Sequence, residues 1–114
     1  MSLLLQDIYS ETKNRFQLEL VCEAKGLNRL MNWVYVAEDI ATTDFLHGGE
    51  LIITTGMGKQ ASSGWLSDFI RKLFRQGTCG LILNTGMYLS EDDITPEIRN
   101  FCEEHSYPLF TMPW

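Results

Sequence analysis

Hydrophobic residues along this chain fall into short unbroken runs and longer periodic stretches, and one short run occurs twice. Leu51-Ile52-Ile53-Thr54-Thr55-Gly56-Met57 is echoed by Leu81-Ile82-Leu83-Asn84-Thr85-Gly86-Met87. Each copy is an apolar run that stops at a polar residue and continues as Thr-Gly-Met. A run of this length closed by glycine predicts a strand buried on both faces. Between the copies Trp65, Leu66, Phe69, Ile70, Leu73 and Phe74 recur at helical spacing and predict a helix over residues 63–76. Ser62 or Ser63 offers its N-cap, Arg71, Lys72 and Arg75 complement the dipole near its end, and Gly77 stops it. Strand, helix and strand over about thirty residues have the size of a βαβ unit. The two Thr-Gly turns are therefore expected side by side at the carboxyl edge of a parallel sheet, where open α/β sheets bind ligands.

The same reading extends to the flanks. Residues 3–11 predict a short helix with Leu4, Leu5 and Ile8 on one side, residues 18–22 a short strand, and residues 23–28, which contain Gly26, a turn. Trp33-Val34-Tyr35-Val36-Ala37 is aromatic and β-branched, hence a strand. Thr42 or Thr43 caps one helical turn through Leu46, which ends at Gly48-Gly49. Thr95 opens the last helix with Pro96 at its first position, Ile98, Phe101 and Cys102 face inward, and Pro108 leads into a final strand. The sum is an α/β domain over residues 1–114, a mostly parallel sheet of four to five strands with flanking helices built from βαβ units.

Composition narrows the function. With 114 residues, 45% hydrophobic and 21% charged, the chain has the make-up of one ordinary globular domain. Its net charge is −6, from 15 acidic and 9 basic residues, so it lacks the basic field that a sequence-independent grip on nucleic acid needs. No apolar run approaches a membrane span, and Ser2 to Leu5 is too short and too unlike a leader to be a signal peptide. The cysteines Cys22, Cys79 and Cys102 are odd in number and far apart, which fits buried thiols in a reducing cytosol. Cys102 and His105 have ligand-like spacing, but no second pair completes a metal site. Neither Gly-x-Gly-x-x-Gly nor Gly-Lys-Ser/Thr occurs, so no cofactor is implied. The apolar ending Tyr107-Pro108-Leu109-Phe110-Thr111-Met112-Pro113-Trp114 carries no polar tail, as expected of a domain excised from a longer chain.

The candidate chemistry gathers at the turns. Gly48 and Gly49, Thr54-Thr55-Gly56 and Asn84-Thr85-Gly86 form a candidate ligand edge. Glycines let backbone N–H groups approach a bound anion or polar ring, and threonine hydroxyls donate or accept. Some of those N–H groups are expected to be unpaired and to point outward. Each turn alone also reads as a plain tight connection. Arg29, beside Asn28, offers a clamp for a carboxylate or an anionic purine oxidation product, or else a surface ion pair. Glu38 and Asp39 end the Trp33 strand, which sets Glu38 on the same ligand edge, and the two carboxylates read as a metal-binding pair or a base, or else as a solvated loop or a helix-capping Asp. His47 and Asp44 lack a nucleophile elbow, so no catalytic residue is assigned.

Three segments together carry a family resemblance: Gly26-Leu27-Asn28-Arg29, then Trp33-Val34-Tyr35-Val36-Ala37-Glu38, then Asp44-Phe45-Leu46-His47-Gly48-Gly49-Glu50-Leu51-Ile52-Ile53-Thr54-Thr55-Gly56. This sequence resembles the N-terminal domain of the purine catabolism regulator (PucR) family of bacterial transcription factors, over essentially its whole length. Leu30 stands where members often carry Pro, and Glu23 where a small residue or Gly is common. The resemblance implies a cytoplasmic, non-enzymatic domain that senses a ligand or mediates interaction. The expected partners are a small-molecule effector, a purine-pathway or other nitrogen metabolite, and further copies of the chain as a homo-oligomer. DNA would be reached only through a C-terminal helix-turn-helix outside these residues, and no membrane is expected as a partner. A pure oligomerisation module and, less favoured, an enzyme fragment are the alternatives.

With net charge −6 and no recognition helix, the 114-residue chain is expected to give no sequence-specific DNA complex at moderate salt. A gel shift at micromolar protein checks this, and a specific complex would contradict it.

Overall fold

The two echoed runs form the centre of a five-stranded sheet in the computed structural model, which describes residues 3–22, 25–61 and 63–114. In chain order the elements are β1 (Leu3–Leu4), α1 (Leu5–Phe16), β2 (Glu19–Leu20), β3 (Leu30–Met31), β4 (Trp33–Val36), β5 (Glu50–Thr54), α2 (Trp65–Arg75), β6 (Gly80–Thr85), α3 (Pro96–Glu104) and β7 (Leu109–Pro113), joined in part by short 3-10 turns. The sheet order is β2-β7-β6-β5-β4. Its last four strands are parallel, and β2 joins β7 antiparallel through Glu19–Thr111 and Leu20–Phe110. The register Leu51–Gly80, Ile52–Leu81, Ile53–Ile82, Thr54–Leu83 makes β5 and β6 direct parallel neighbours, connected through α2. The expected α/β architecture is therefore present. A separate ribbon pairs β1 with β3.

Side chains alternate across the strands, and both faces of the centre are apolar. On one face Ile52, Leu81, Leu83 and Leu109 pack against Trp65, Phe69, Ile70 and Leu73 of α2 and Ile98 and Cys102 of α3. On the other, Leu51, Ile82 and Phe110 pack with Leu5 of α1, Leu18, Leu27 and Met31. α1 covers this second face incompletely. A groove of about 310 Å³ between α1 and the sheet is lined almost wholly by apolar residues, among them Ile8, Tyr9, Phe16, Val34 and Ile53.

Helix ends show where local signals succeeded. Thr95 caps α3 by accepting from the Ile98 N–H at 3.2 Å, with Pro96 at the first position. Gly77, at φ 78°, closes α2 through its own N–H to the Phe74 carbonyl (3.0 Å) and the Thr78 N–H to the Leu73 carbonyl (3.2 Å). Other ends differ from expectation. α2 begins after Gly64, whose φ of 75° turns the chain into the helix, and Ser63 is not its cap; Ser62 lies outside the described residues. α1 runs to Phe16 rather than residue 11, and Leu3 and Leu4 leave it to pair with β3. No glycine stops it, and Gln17 closes it in the left-handed conformation, with the Leu18 N–H bonded to the Lys13 carbonyl at 3.0 Å. Thr42 and Thr43 lie inside a 3-10 turn (Ala41–Phe45) rather than capping it; Asp39 Oδ1 accepts the Thr42 N–H at 2.8 Å instead. The expected turn at residues 23–28 contains a 3-10 turn at Lys25–Asn28, while Glu23 and Ala24 lie outside the described residues.

One buried polar bridge ties α2 to the start of β7. Thr78 Oγ1 donates to the Leu73 carbonyl at 2.9 Å, so its single proton is used, and the Tyr107 hydroxyl must donate to it across 2.6 Å. Thr78→Val should therefore destabilise the fold by about 1–3 kcal/mol, because the buried Tyr107 hydroxyl loses its acceptor. Tyr107→Phe should cost less, since Thr78 keeps the Leu73 carbonyl. Urea unfolding of both variants checks the order, and a larger loss in Tyr107→Phe would contradict it.

Candidate functional site

Parallel strands end together, so β4, β5 and β6 deliver Glu38, Thr54-Thr55-Gly56 and Asn84-Thr85-Gly86 to one carboxyl edge. Their hydrogen bonds do not converge on a shared vacancy. Glu38 Oε1 accepts from the Thr54 hydroxyl (2.6 Å) and the Thr55 N–H (2.9 Å), and Glu38 Oε2 accepts from the Thr55 hydroxyl. The Thr54 hydroxyl also receives the Gly56 N–H at 3.3 Å. The carboxylate of Glu38 thus occupies the position an anionic ligand of this turn would take, and clamps β4 to β5.

The second turn leans the other way. β6 stays paired with β7 for two residues beyond the β5 register, through Asn84–Met112 and Thr85–Pro113. Asn84 Nδ2 donates to the Met112 carbonyl at 3.2 Å, the Trp114 N–H donates to the Thr85 carbonyl at 2.7 Å, and the Gly86 N–H reaches the Leu89 carbonyl at 2.9 Å. The outward, unpaired N–H groups expected of the two turns are instead bonded at Thr55, Gly56 and Gly86. The glycines serve close packing. A Cβ on Gly56 would overlap Leu89, and one on Gly58 would overlap the Glu38 carbonyl and the Trp65 ring.

A cleft of about 360 Å³ opens beside this clamp, between the amino ends of α2 and α3. Trp65, Leu66, Leu89 and Ile98 give it apolar walls. Its polar groups are Lys59, which pairs with Asp93 at 3.1 Å, and Glu97, which pairs with Arg71 at 3.1 Å, together with Ser63, Ser67, Asp92 and Thr95. None of the turn residues expected from the sequence lines it. Its components come from three separated segments, and residues 90–94 read in sequence as the turn before the last helix or an earlier start to it. The signal that could have found it is the run Glu91-Asp92-Asp93, placed by parallel topology at the same edge as the Thr-Gly turns.

Gly48, Gly49 and Arg29 lie elsewhere. Gly48 and Gly49 precede β5 and so stand at the amino edge, a strand length from Thr54. The Gly49 N–H donates to the Gly77 carbonyl at 2.9 Å, and a Cβ at Gly49 would overlap Asn32. The half-turn there is held by buried Glu50, whose two carboxylate oxygens accept the His47 N–H (2.6 Å) and the Gly48 N–H (2.8 Å). Arg29 Nη2 donates to the His105 carbonyl at 3.3 Å, just ahead of β7, and is also at the amino edge. The ten expected site residues thus split, with Thr54, Thr55, Gly56, Asn84, Thr85, Gly86 and Glu38 together and Gly48, Gly49 and Arg29 apart, because the two motif glycines sit at the beginning of the strand whose end carries the threonines.

All three cysteines are buried and unpaired, and desolvation pushes the Cys79 and Cys102 thiols up to about 12. Among the described residues no group of three or more His, Cys, Asp or Glu is placed to hold a metal, and no helix is long and apolar enough to cross a membrane.

Known proteins are similar to this chain along nearly all of it. A family model described as the purine catabolism regulatory protein-like family matches residues 7–114. The purine catabolism regulatory protein of Bacillus subtilis (strain 168) is 30% identical over 94 residues, which cover 82% of this chain. The match spans 17% of that relative's length.

The two carboxylate clamps differ in a testable way. Both partners of Glu50 are N–H donors, so Glu50→Gln sets an amide N–H₂ against one of them and should destabilise the fold by about 1–3 kcal/mol. Glu38→Gln should cost less, because the Thr55 hydroxyl can rotate to accept from the new amide. Thermal or urea unfolding reads the order, and a costlier Glu38→Gln would contradict it.

Proposed function

The chain belongs to the purine catabolism regulatory protein-like family, and we propose that it is the effector-sensing domain of a transcriptional regulator that controls the use of a purine-pathway or related nitrogen compound. The carboxyl-edge cleft carries this reading. It is a concave site with apolar walls and a few polar groups, the usual make-up of a small-molecule pocket, and it lies where parallel α/β sheets bind ligands. Asp92 and Glu97 suit the N–H donors of a purine or ureide, while Lys59 and the amino ends of α2 and α3 suit its carbonyl oxygens.

The role is regulatory rather than enzymatic, in the cytoplasm, with DNA contact made by another part of the parent protein. The effector would act by binding one arrangement of this edge better than another. The element poised to differ is the clamp of Glu38 on Thr54 and Thr55, which ties the end of β4 to the turn behind the cleft. The candidate residues Thr54, Thr55, Gly56, Asn84, Thr85 and Gly86 lie at the same carboxyl edge outside the cleft lining and would meet the effector only if Glu38 gives way. The alternative of an interaction module without ligand draws on the exposed edge of β4.

Thermal-shift screening of the chain against purines and ureides, followed by calorimetry on a hit, tests the reading. A hit should raise the melting temperature, and Asp92→Asn with Glu97→Gln should weaken it roughly tenfold through lost charge-assisted bonds. Thr55→Val should weaken it by about 1–3 kcal/mol if the effector reaches the turn itself. No shift from any compound at millimolar concentration, or equal affinities in the cleft variants, would move the function away from this site.

A further inference from the structure

We infer that the groove between α1 and the sheet is a binding site for a free medium-chain acyl carboxylate, its chain lying across the strands and its head group at Arg15. The groove occupies the face of the sheet opposite the cleft between α2 and α3. Val34 of β4, Ile53 of β5, Ile82 of β6 and Met112 of β7 form its floor, and Ile8, Tyr9 and Phe16 of α1 wall it from above. Crossing from β4 to β7 takes three strand spacings, about 14 Å, which is the reach of an extended medium-length chain. Water is poorly held there, because an ordered water needs about two to four polar partners. The only side-chain hydroxyls in the walls are those of Tyr9 and Thr12, and Thr12 already donates to the Ile8 carbonyl at 2.6 Å. A cavity of about 310 Å³ lined in this way takes hydrocarbon.

Charge at the rim selects the head group. Past Phe16 and Met112 the groove meets an open basin lined also by Arg15, Gln17, Pro113 and Trp114. The one charged side chain of that basin is a cation, in a chain whose net charge is −6. Arg15 lies 5.9 Å from the centre of the Phe16 ring, and Lys13 lies 5.8 Å from that of Tyr9, so both cations stand over rings that border the groove. Among the described residues neither pairs with a carboxylate. The guanidinium fork of Arg15 is therefore open to a bidentate carboxylate, and the Gln17 amide offers further N–H donors beside it. A carboxylate in the basin with its chain in the groove satisfies both halves of the site. The same charges favour a free acid over a bilayer, since an anionic membrane would meet the whole acidic surface and a single acid meets only this rim. The inference does not depend on the effector reading, because groove and cleft lie on opposite faces of the sheet and either can fail without the other.

Calorimetry and methyl NMR with decanoate, kept below its micelle concentration, test the inference. Decanoate should bind saturably and shift the methyl signals of Ile8, Val34, Ile53 and Ile82, while those of Leu66 and Ile98 in the cleft stay in place. Acetate, the head group without the chain, should not bind. Decyltrimethylammonium, the same chain with a cationic head, should bind roughly tenfold more weakly than decanoate or worse. Arg15→Glu should reverse that order, weakening decanoate roughly tenfold and favouring the ammonium. Arg15 is exposed, so the variant should keep the melting temperature of the unliganded chain. Groove methyls that decanoate leaves unmoved, as they would be if a second copy or another protein segment filled the groove, would overturn the inference. So would equal affinities for the two head groups, or an Arg15→Glu variant that keeps the original preference.

Discussion

Two central strands without a polar face set the terms for the rest of this molecule. Ile52, Leu81 and Leu83 point to one side and Leu51 and Ile82 to the other, so β5 and β6 demand an apolar layer on both. α2 and α3 complete the first layer. α1 completes only part of the second, because its 12 residues lie over Phe110, Ile82 and Leu51 and leave Val34 and Ile53 beside an open groove. The unfinished layer is thus a consequence of that constraint: among the described residues, a sheet built for burial on both faces has more apolar surface than α1, α2 and α3 cover.

Polar groups near the sheet ends solve a different problem. Glu50 gathers the N–H groups that enter β5, and Glu38 gathers those that leave it. Each carboxylate satisfies backbone donors that would otherwise lie half-buried without partners. The motif acids therefore stiffen the turns, and the open chemistry moves sideways into the cleft between the amino ends of α2 and α3.

Periodicity made the scaffold legible from sequence. The echoed runs and the α2 stripe are written in the spacing of apolar residues, Gly77 and the Thr95-Pro96 start rest on contacts within a few residues, and each appears where it was expected. Ser63 and Thr42 look equally good as caps, yet neighbouring residues take those tasks, Gly64 through its left-handed turn and Asp39 by accepting the Thr42 N–H. The site was less legible because strand direction separates residues that sequence places together. Gly49 and Thr54 are five positions apart in the chain but stand at opposite edges of the sheet. Asp92 and Lys59 are distant in sequence and share the cleft. The Glu38 clamp, a contact between residues 38 and 55, has no local signature.

Native-state amide hydrogen exchange tests most directly the claim that β5 and β6 are the keystone. Their amides at Ile52, Ile53, Leu81, Ile82 and Leu83 should exchange only through global unfolding, with one common free energy. Amides of α1, which lies over a partly filled groove, should exchange through a cheaper local opening. Exchange of the β5 and β6 amides at or below the free energy of α1 would contradict the account.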